Sequence, residues 1–167
     1  GNPKYDSRED CNAIIETKSN TLIIGCATTN IPNTVTNIGD EAFSNCNDLY
    51  SITIPHGVTS IGKGAFAHCY KLCSVKIPES VTNIEESAFY GCYNLKKVHI
   101  VNLESWCKIN FGIDGNPLHN KRRYETTFLC INGDSAQKLE LPNTISVIND
   151  HAFEGCYLKS LKIPNSV

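Results

Sequence analysis

Ile54-Pro55-His56-Gly57-Val58-Thr59-Ser60-Ile61-Gly62-Lys63-Gly64-Ala65-Phe66-Ala67-His68-Cys69-Tyr70-Lys71-Leu72-Cys73-Ser74-Val75-Lys76 recurs along the chain. A copy from Ile31 to Thr53 precedes these 23 residues, and another from Ile77 to His99 follows. A fourth copy, one residue shorter, runs from Leu141 to Lys162, and a fifth begins at Ile163 and stops at Val167. Self-similarity at a fixed period of roughly 20–50 residues is the mark of a solenoid or related array.

Each copy alternates at its end: Ile52, Thr53, Ile54; Val75, Lys76, Ile77; Val98, His99, Ile100; Leu161, Lys162, Ile163. Period two with β-branched residues predicts one short strand per coil with a single buried face. A proline follows (Pro32, Pro55, Pro78, Pro142, Pro164) and ends the ladder, since it has no N–H to donate. Val and Ile then recur three apart, as in Val58 and Ile61, and Ala-Phe and Cys follow at helical spacing. That spacing predicts a short helical turn with its apolar side inward. Gly39 and Gly62 just before it predict a tight corner with positive φ. No single unit can bury its apolar face alone, but stacked units can. The expected ladders are Phe43, Phe66, Phe89 and Phe153; Cys46, Cys69, Cys92 and Cys156; and Leu49, Leu72, Leu95 and Leu158.

The chain of 167 residues is one domain's length, here a single solenoid over 1–167. Regular repeats occupy 31–99 and 141–167, with irregular units at 1–30 and 100–140. The chain stops five residues into a repeat and contains no Met, so it reads as a slice of a longer array, with any signal or anchor lying outside it. A net charge of −2 argues against a general nucleic-acid partner, and no apolar run approaches the roughly 18 residues that span a membrane.

In the first irregular unit, the segments flanking Lys18-Ser19 predict a hairpin that sets Cys11 opposite Cys26. They are the one pair for which a bridge is considered, and free thiols are the expectation, since a cross-strand disulfide is geometrically demanding. In the second, Val101 to Ile109 predicts a short amphipathic helix with Leu103, Trp106 and Cys107 on one side. Phe128–Ile131 and Lys138–Leu141 read as strands about Asn132-Gly133-Asp134, a hairpin turn signal.

The repeats beginning Ile31-Pro32-Asn33-Thr34-Val35-Thr36-Asn37-Ile38-Gly39 resemble the BspA-like leucine-rich repeat, as do Tyr5 to Glu16 and Ser105 to Gly112. The resemblance implies an α/β repeat fold: a right-handed, curved leucine-rich-repeat solenoid with one parallel strand per coil and short helical turns. It also implies a place on the cell surface or in a secreted protein, and a role in adhesion to host matrix or to another bacterium. It carries no residue-level site, because the defining residues are core positions.

Chemistry is scarce. His68-Cys69 with Cys73 lacks the paired spacing of a zinc site, and no cysteine is marked as an activated nucleophile. Glu85-Glu86 fits a solvated turn, and Trp106 in an apolar context fits the core. The basic run Lys121-Arg122-Arg123 could meet an anion or simply be a solvated loop. No enzyme, cofactor or metal is expected. Three functions stay open: a binding module that takes a protein or acidic glycan on its concave sheet face, a structural spacer, and the recognition arm of a larger secreted protein. For the first, alternation points Ser51, Thr53, Ser74, Lys76, Lys97, His99, Lys138, Glu140, Ser160 and Lys162 outward, a basic strip on a slightly acidic chain. Lysines on an exposed sheet also serve solubility.

Overall fold

The computed structural model describes residues 2–119 and 126–167. Its elements are β1 (Tyr5–Asp6), a 3-10 turn (Arg8–Asp10), β2 (Ile14–Glu16), β3 (Thr21–Ile24), β4 (Asn37–Ile38), β5 (Ser51–Thr53), β6 (Ser60–Ile61), β7 (Ser74–Lys76), β8 (Asn83–Ile84), β9 (Lys97–Ile100), α1 (Leu103–Cys107), β10 (Asn110–Phe111), β11 (Phe128–Ile131), β12 (Asp134–Ser135), β13 (Lys138–Glu140) and β14 (Ser160–Lys162). The coils stack as a parallel β-solenoid with little helix.

Two ladders run along the stack where one was expected. The predicted strands form a sheet ordered β12-β11-β9-β7-β5, in which Thr53 pairs with Lys76 and Lys76 with His99. The second ladder is β3-β4-β6-β8-β10, and its β4, β6 and β8 come from the Val-Thr-x-Ile segments. Each such segment lies over its own copy. Thr59 N–H donates to Thr36 O at 2.9 Å and Gly62 N–H to Ile38 O at 2.8 Å. Val58 and Ile61 are both fully buried, so their three-residue spacing reports a bend with two inward positions, not a helix.

The Ala-Phe segments are not helical turns either. Residues with left-handed φ recur four apart: Glu41 and Asn45 (55° and 59°), Gly64 and His68 (56° and 59°), Ser87 and Gly91 (56° and 78°). Such residues stop a right-handed helix from propagating. They also free alternate N–H groups to reach the next coil, as in Glu41 to Lys63 O (2.8 Å), Phe43 to Ala65 O (2.7 Å) and Asn45 to Ala67 O (2.8 Å). Inter-coil bonds therefore alternate with local turn bonds, such as Ser44 N–H to Glu41 O (2.9 Å), in place of a continuous helix. Gly39 and Gly62 are not at positive φ. They are needed for close approach, because a Cβ on Gly39 would lie 2.9 Å from Leu22 O and one on Gly62 2.5 Å from Asp40 Oδ1.

Phe43, Phe66 and Phe89 stack as expected, with ring centroids 5.0 Å apart at each step. Phe153 does not join them and is only partly buried, because the coil containing α1 intervenes. There the predicted helix forms, capped by Asn102, whose side chain accepts from Glu104 N–H at 2.8 Å. Trp106 is buried, meets Phe111 edge-on at 5.1 Å, and donates its indole N–H to Ala152 O at 2.8 Å. Cys69 and Cys92 are buried, and each thiol donates to the phenylalanine carbonyl one coil back, Phe43 O and Phe66 O, both at 3.0 Å. The contact with Cys69, then burial, holds the Cys92 thiol above the ordinary range, while the same contact holds Cys69 below it. Cys46 and Cys156 at the outer ladder positions are only partly buried.

At the start of the chain, β1, β2 and β3 form an antiparallel cap on the second sheet, with the hairpin at the predicted place. Cys11 is buried and Cys26 exposed, both as free thiols. Toward the other end, Asn132 and Gly133 sit at positive φ in a two-residue turn that pairs Ile131 with Asp134. The hairpin's second strand is thus β12. Residues 138–140, expected there, pair instead with β14 in a separate two-stranded sheet. One turn signal served a shorter hairpin, which left the next strand free to join the following coil.

Candidate functional site

Side chains alternate across the long strands, so β5, β7 and β9 put two rows on their outer face. One row is Ser51, Ser74, Lys97 and the other Thr53, Lys76, His99, each aligned by strand register. The inward row is Ile52, Val75 and Val98, all buried. The six expected residues of these strands are therefore brought together. The other four are not on this sheet. In register, Lys97 is followed by Phe128 and His99 by Cys130. Lys138 aligns with Ser160, and Glu140 with Lys162, in their own sheet, where the Lys162 ammonium pairs with the Glu140 carboxylate. The strip is thus interrupted, and its far end is self-neutralised. The basic run Lys121 to Arg123 lies outside the described residues.

The Thr53–Lys76–His99 row floors a cleft of about 450 Å³ with Ser51, Ser74 and Val101 around it, and the Asn132-Gly133 turn is one wall. Among the described residues, Lys76 and Lys97 have no ion-pair partner, and no acidic side chain lines this cleft. Partial burial first, then the positive charge of Lys97 and Lys76, hold His99 below the usual histidine range. At neutral pH it is an uncharged donor-acceptor beside two cations. A second cleft of about 280 Å³ adjoins the first through Thr53 and Lys76 and is bounded by Glu9, Asn30, Pro32 and Pro55. The Asn132-Gly133 wall and the proline rim were not read as site residues. The prolines carried a signal, recurring once per coil, but only the coil geometry shows that they border the face.

A further charged group joins the α1 coil to the next repeat. Glu154 places one carboxylate oxygen 2.6 Å from His119 Nδ1 and the other 2.7 Å from His151 Nδ1. His119 Nε2 lies 3.9 Å from Asp114. No sequence spacing marked it, since Asp114 and His119 lie 32 and more residues before His151 and Glu154. Among the described residues no group of His, Cys, Asp and Glu is arranged to hold a metal, and no helix is long and apolar enough to cross a membrane.

Comparison with known proteins agrees with this architecture. The model of the BspA type leucine-rich repeat region matches six copies over residues 20–111 and 127–167. A leucine-rich cell surface protein from Faecalibacterium prausnitzii A2-165 is similar over 95% of this chain and 39% of its own, at 26% identity and a TM-score of 0.60. A leucine-rich repeat protein from Bacteroides ovatus is similar over 97% of this chain and 40% of its own, at 24% identity and a TM-score of 0.53. The pneumococcal vaccine antigen PcpA shares the fold over 98% of this chain and 49% of its own, at 19% identity and a TM-score of 0.60. The chain thus spans less than half the length of each of these three. No curated protein matches the sequence. With the repeat model covering most of the chain and the stacked coils bearing out its periodicity, the chain belongs to the BspA-type leucine-rich repeat family.

Proposed function

We propose that this chain is a non-enzymatic interaction module of a cell-surface or secreted protein, and that it holds an acidic partner, protein or glycan, over the outer face of β5, β7 and β9. One observation carries the reading. Lys76 and Lys97 stand with His99 on one face, Lys76 and His99 line a cleft of molecular size that has no acidic wall, and among the described residues neither lysine has an ion-pair partner. Lysines serving only solubility need no such enclosure. Exposed cations of this kind speed encounter and select an acidic surface, and their effect fades as salt screens charges beyond roughly 8–10 Å. A role in adhesion follows if that partner belongs to host matrix or to another cell.

The test is a glycan and matrix-protein binding array, read with the parent chain and with Lys76→Ser/Lys97→Ser at two salt concentrations. Captured ligands should be acidic, bind more weakly at high salt, and be lost with the double variant. Lys162→Ser is the control, because Lys162 is paired on another sheet, and it should bind as the parent does. Ligands that survive the double substitution would place recognition away from this face.

A further inference from the structure

The long sheet has an unguarded side. β5 is its outermost strand. Ile54 N–H donates to Lys76 O at 2.9 Å, so Ile52 and Ile54 turn their backbone groups toward β7. By the alternation of a parallel ladder, those of Ser51 and Thr53 point away from it. Among the described residues no backbone hydrogen bond reaches Ser51 or Thr53 from that far side, and both residues are exposed. The first coil explains why. Its β3 pairs with β2 and β4, both in the second sheet, and not with β5. The chain then turns at Cys26–Thr29 and ties Asn30 N–H to Cys11 O at 3.1 Å, adding no strand beside β5. Edges are usually blunted by a charge, a proline or a bulge. Ser51-Ile52-Thr53 has none of these, and the cleft of about 280 Å³ opens beside Thr53.

We propose that an extended acidic segment of a partner protein adds to this edge as a further strand. The segment's backbone would bond to Ser51 and Thr53, which supplies affinity without reference to sequence. Its inward side chains would extend the buried row of Ile52, Val75 and Val98, which calls for small β-branched residues. Its outward side chains would extend the rows that contain Lys97 and Lys76, which calls for acids. The preferred segment therefore alternates acidic and β-branched residues. Its charge preference rests on the basic face proposed above, whereas its place rests on backbone geometry alone.

The probe is a capped, fluorescein-labelled heptapeptide of alternating glutamate and valine, titrated with the chain by fluorescence anisotropy. Two further peptides carry N-methyl groups, on every valine nitrogen in one and on every glutamate nitrogen in the other. In a strand, one of these sets faces β5 and the other faces solvent. A parallel segment presents its inward residues' N–H groups, as the existing strands do, so valine methylation should weaken binding about tenfold or more while glutamate methylation is tolerated. An antiparallel segment reverses the two, so the sensitive peptide reports the direction. Ser51→Pro removes a donor that faces away from β7, and should weaken binding similarly with an unchanged melting midpoint. Equal binding by both methylated peptides, or no binding of the parent peptide, overturns strand addition. If methylation is without effect but Lys76→Ser/Lys97→Ser abolishes binding, the face reading stands and the edge reading falls. Sedimentation that shows the chain dimerising without peptide, and Ser51→Pro dissolving that dimer, would make a second copy the occupant and overturn the proposed partner.

Discussion

Phe66→Ala should be the most damaging single truncation in the phenylalanine stack. Its ring is fully buried and lies between Phe43 and Phe89, 5.0 Å from each. Truncating a buried phenylalanine costs about 3–5 kcal/mol through lost transfer energy and the cavity left behind. Each stacked aromatic pair adds roughly 0.5–1.5 kcal/mol beyond burial, and Phe66 loses two. The cost should therefore reach the top of that range. Phe89 and Phe43 each have one ring neighbour in the stack and should fall lower. Phe153 is partly buried and outside the stack, and should cost about 1–2 kcal/mol, like a partly exposed hydrophobe. The assay is urea unfolding followed by two signals. Far-ultraviolet circular dichroism reports the whole ladder, and the fluorescence of Trp106, the single tryptophan, reports the coil beyond Phe89. Coincident midpoints would establish the two-state behaviour that the free energies require. A Phe66→Ala loss below about 1 kcal/mol, the size of a surface effect, or a Phe153→Ala loss equal to that of Phe66→Ala, which would leave the stack no weight of its own, would refute the stacked-core reasoning.

Gly25→Ala should destabilise by about 1–3 kcal/mol, since its Cβ would lie 2.2 Å from Phe43 Cε1 and force the end of the stack to repack; an unchanged melting midpoint would contradict that contact. Gly133→Ala has open space around the new methyl but sits at φ +94°, so its cost, about 1–2 kcal/mol, should be conformational only and Gly133→Asn should recover part of it. His99 titrates below its unfolded value, so the unfolded chain binds its proton first; stability should fall as pH drops through the ordinary histidine range, and His99→Gln should flatten that slope in pH-dependent melts. Cys26 is exposed, and hydrogen bonds from Thr28 lead in holding its thiol below the ordinary range, so it should react with an aromatic disulfide reagent long before buried Cys69 and Cys92, which should react only on unfolding; simultaneous labelling of all three would rule out the burial pattern.

The repeat period was legible because it is a statement about contacts: Phe43, Phe66 and Phe89 share a position in the sequence and therefore a column in space. The strand at Ser51–Thr53 was equally plain from its alternation. What misled was the spacing of Val58 with Ile61 and of Ala65 with Phe66 and Cys69. Such intervals suit a helix, yet they also suit a chain that bends with left-handed residues at Gly64 and His68 and sends its N–H groups to the next coil. A single coil's spacing does not distinguish the two, because the deciding partner lies 22 residues on, as Glu86 O does for Gly64 N–H. The outward face was half legible. Local alternation named all ten side chains, but whether two strands share a sheet depends on pairing, and the hairpin at Asn132-Gly133 separated Lys138 and Glu140 from the rest. The open side of β5 had no local signal, because it arises from what the first coil fails to place there.

Thr36, Thr59 and Thr82 each send a hydroxyl to a backbone carbonyl one coil back, Ser19 O, Thr36 O and Thr59 O, at 3.1, 3.2 and 3.3 Å. The last two steps use the same atoms on both sides of the joint. A segment that bonds to its own successor through identical atoms can be copied within the gene without renegotiating either neighbour. An in-frame duplication of residues 54–76 would find every donor and acceptor waiting, and would carry everything downstream along the axis by one strand spacing, about 4.8 Å. The outward face would gain another serine and another lysine in register with those already there. Heredity can thus lengthen the grip of such a molecule in whole steps, trying longer surfaces at little risk to the fold that presents them.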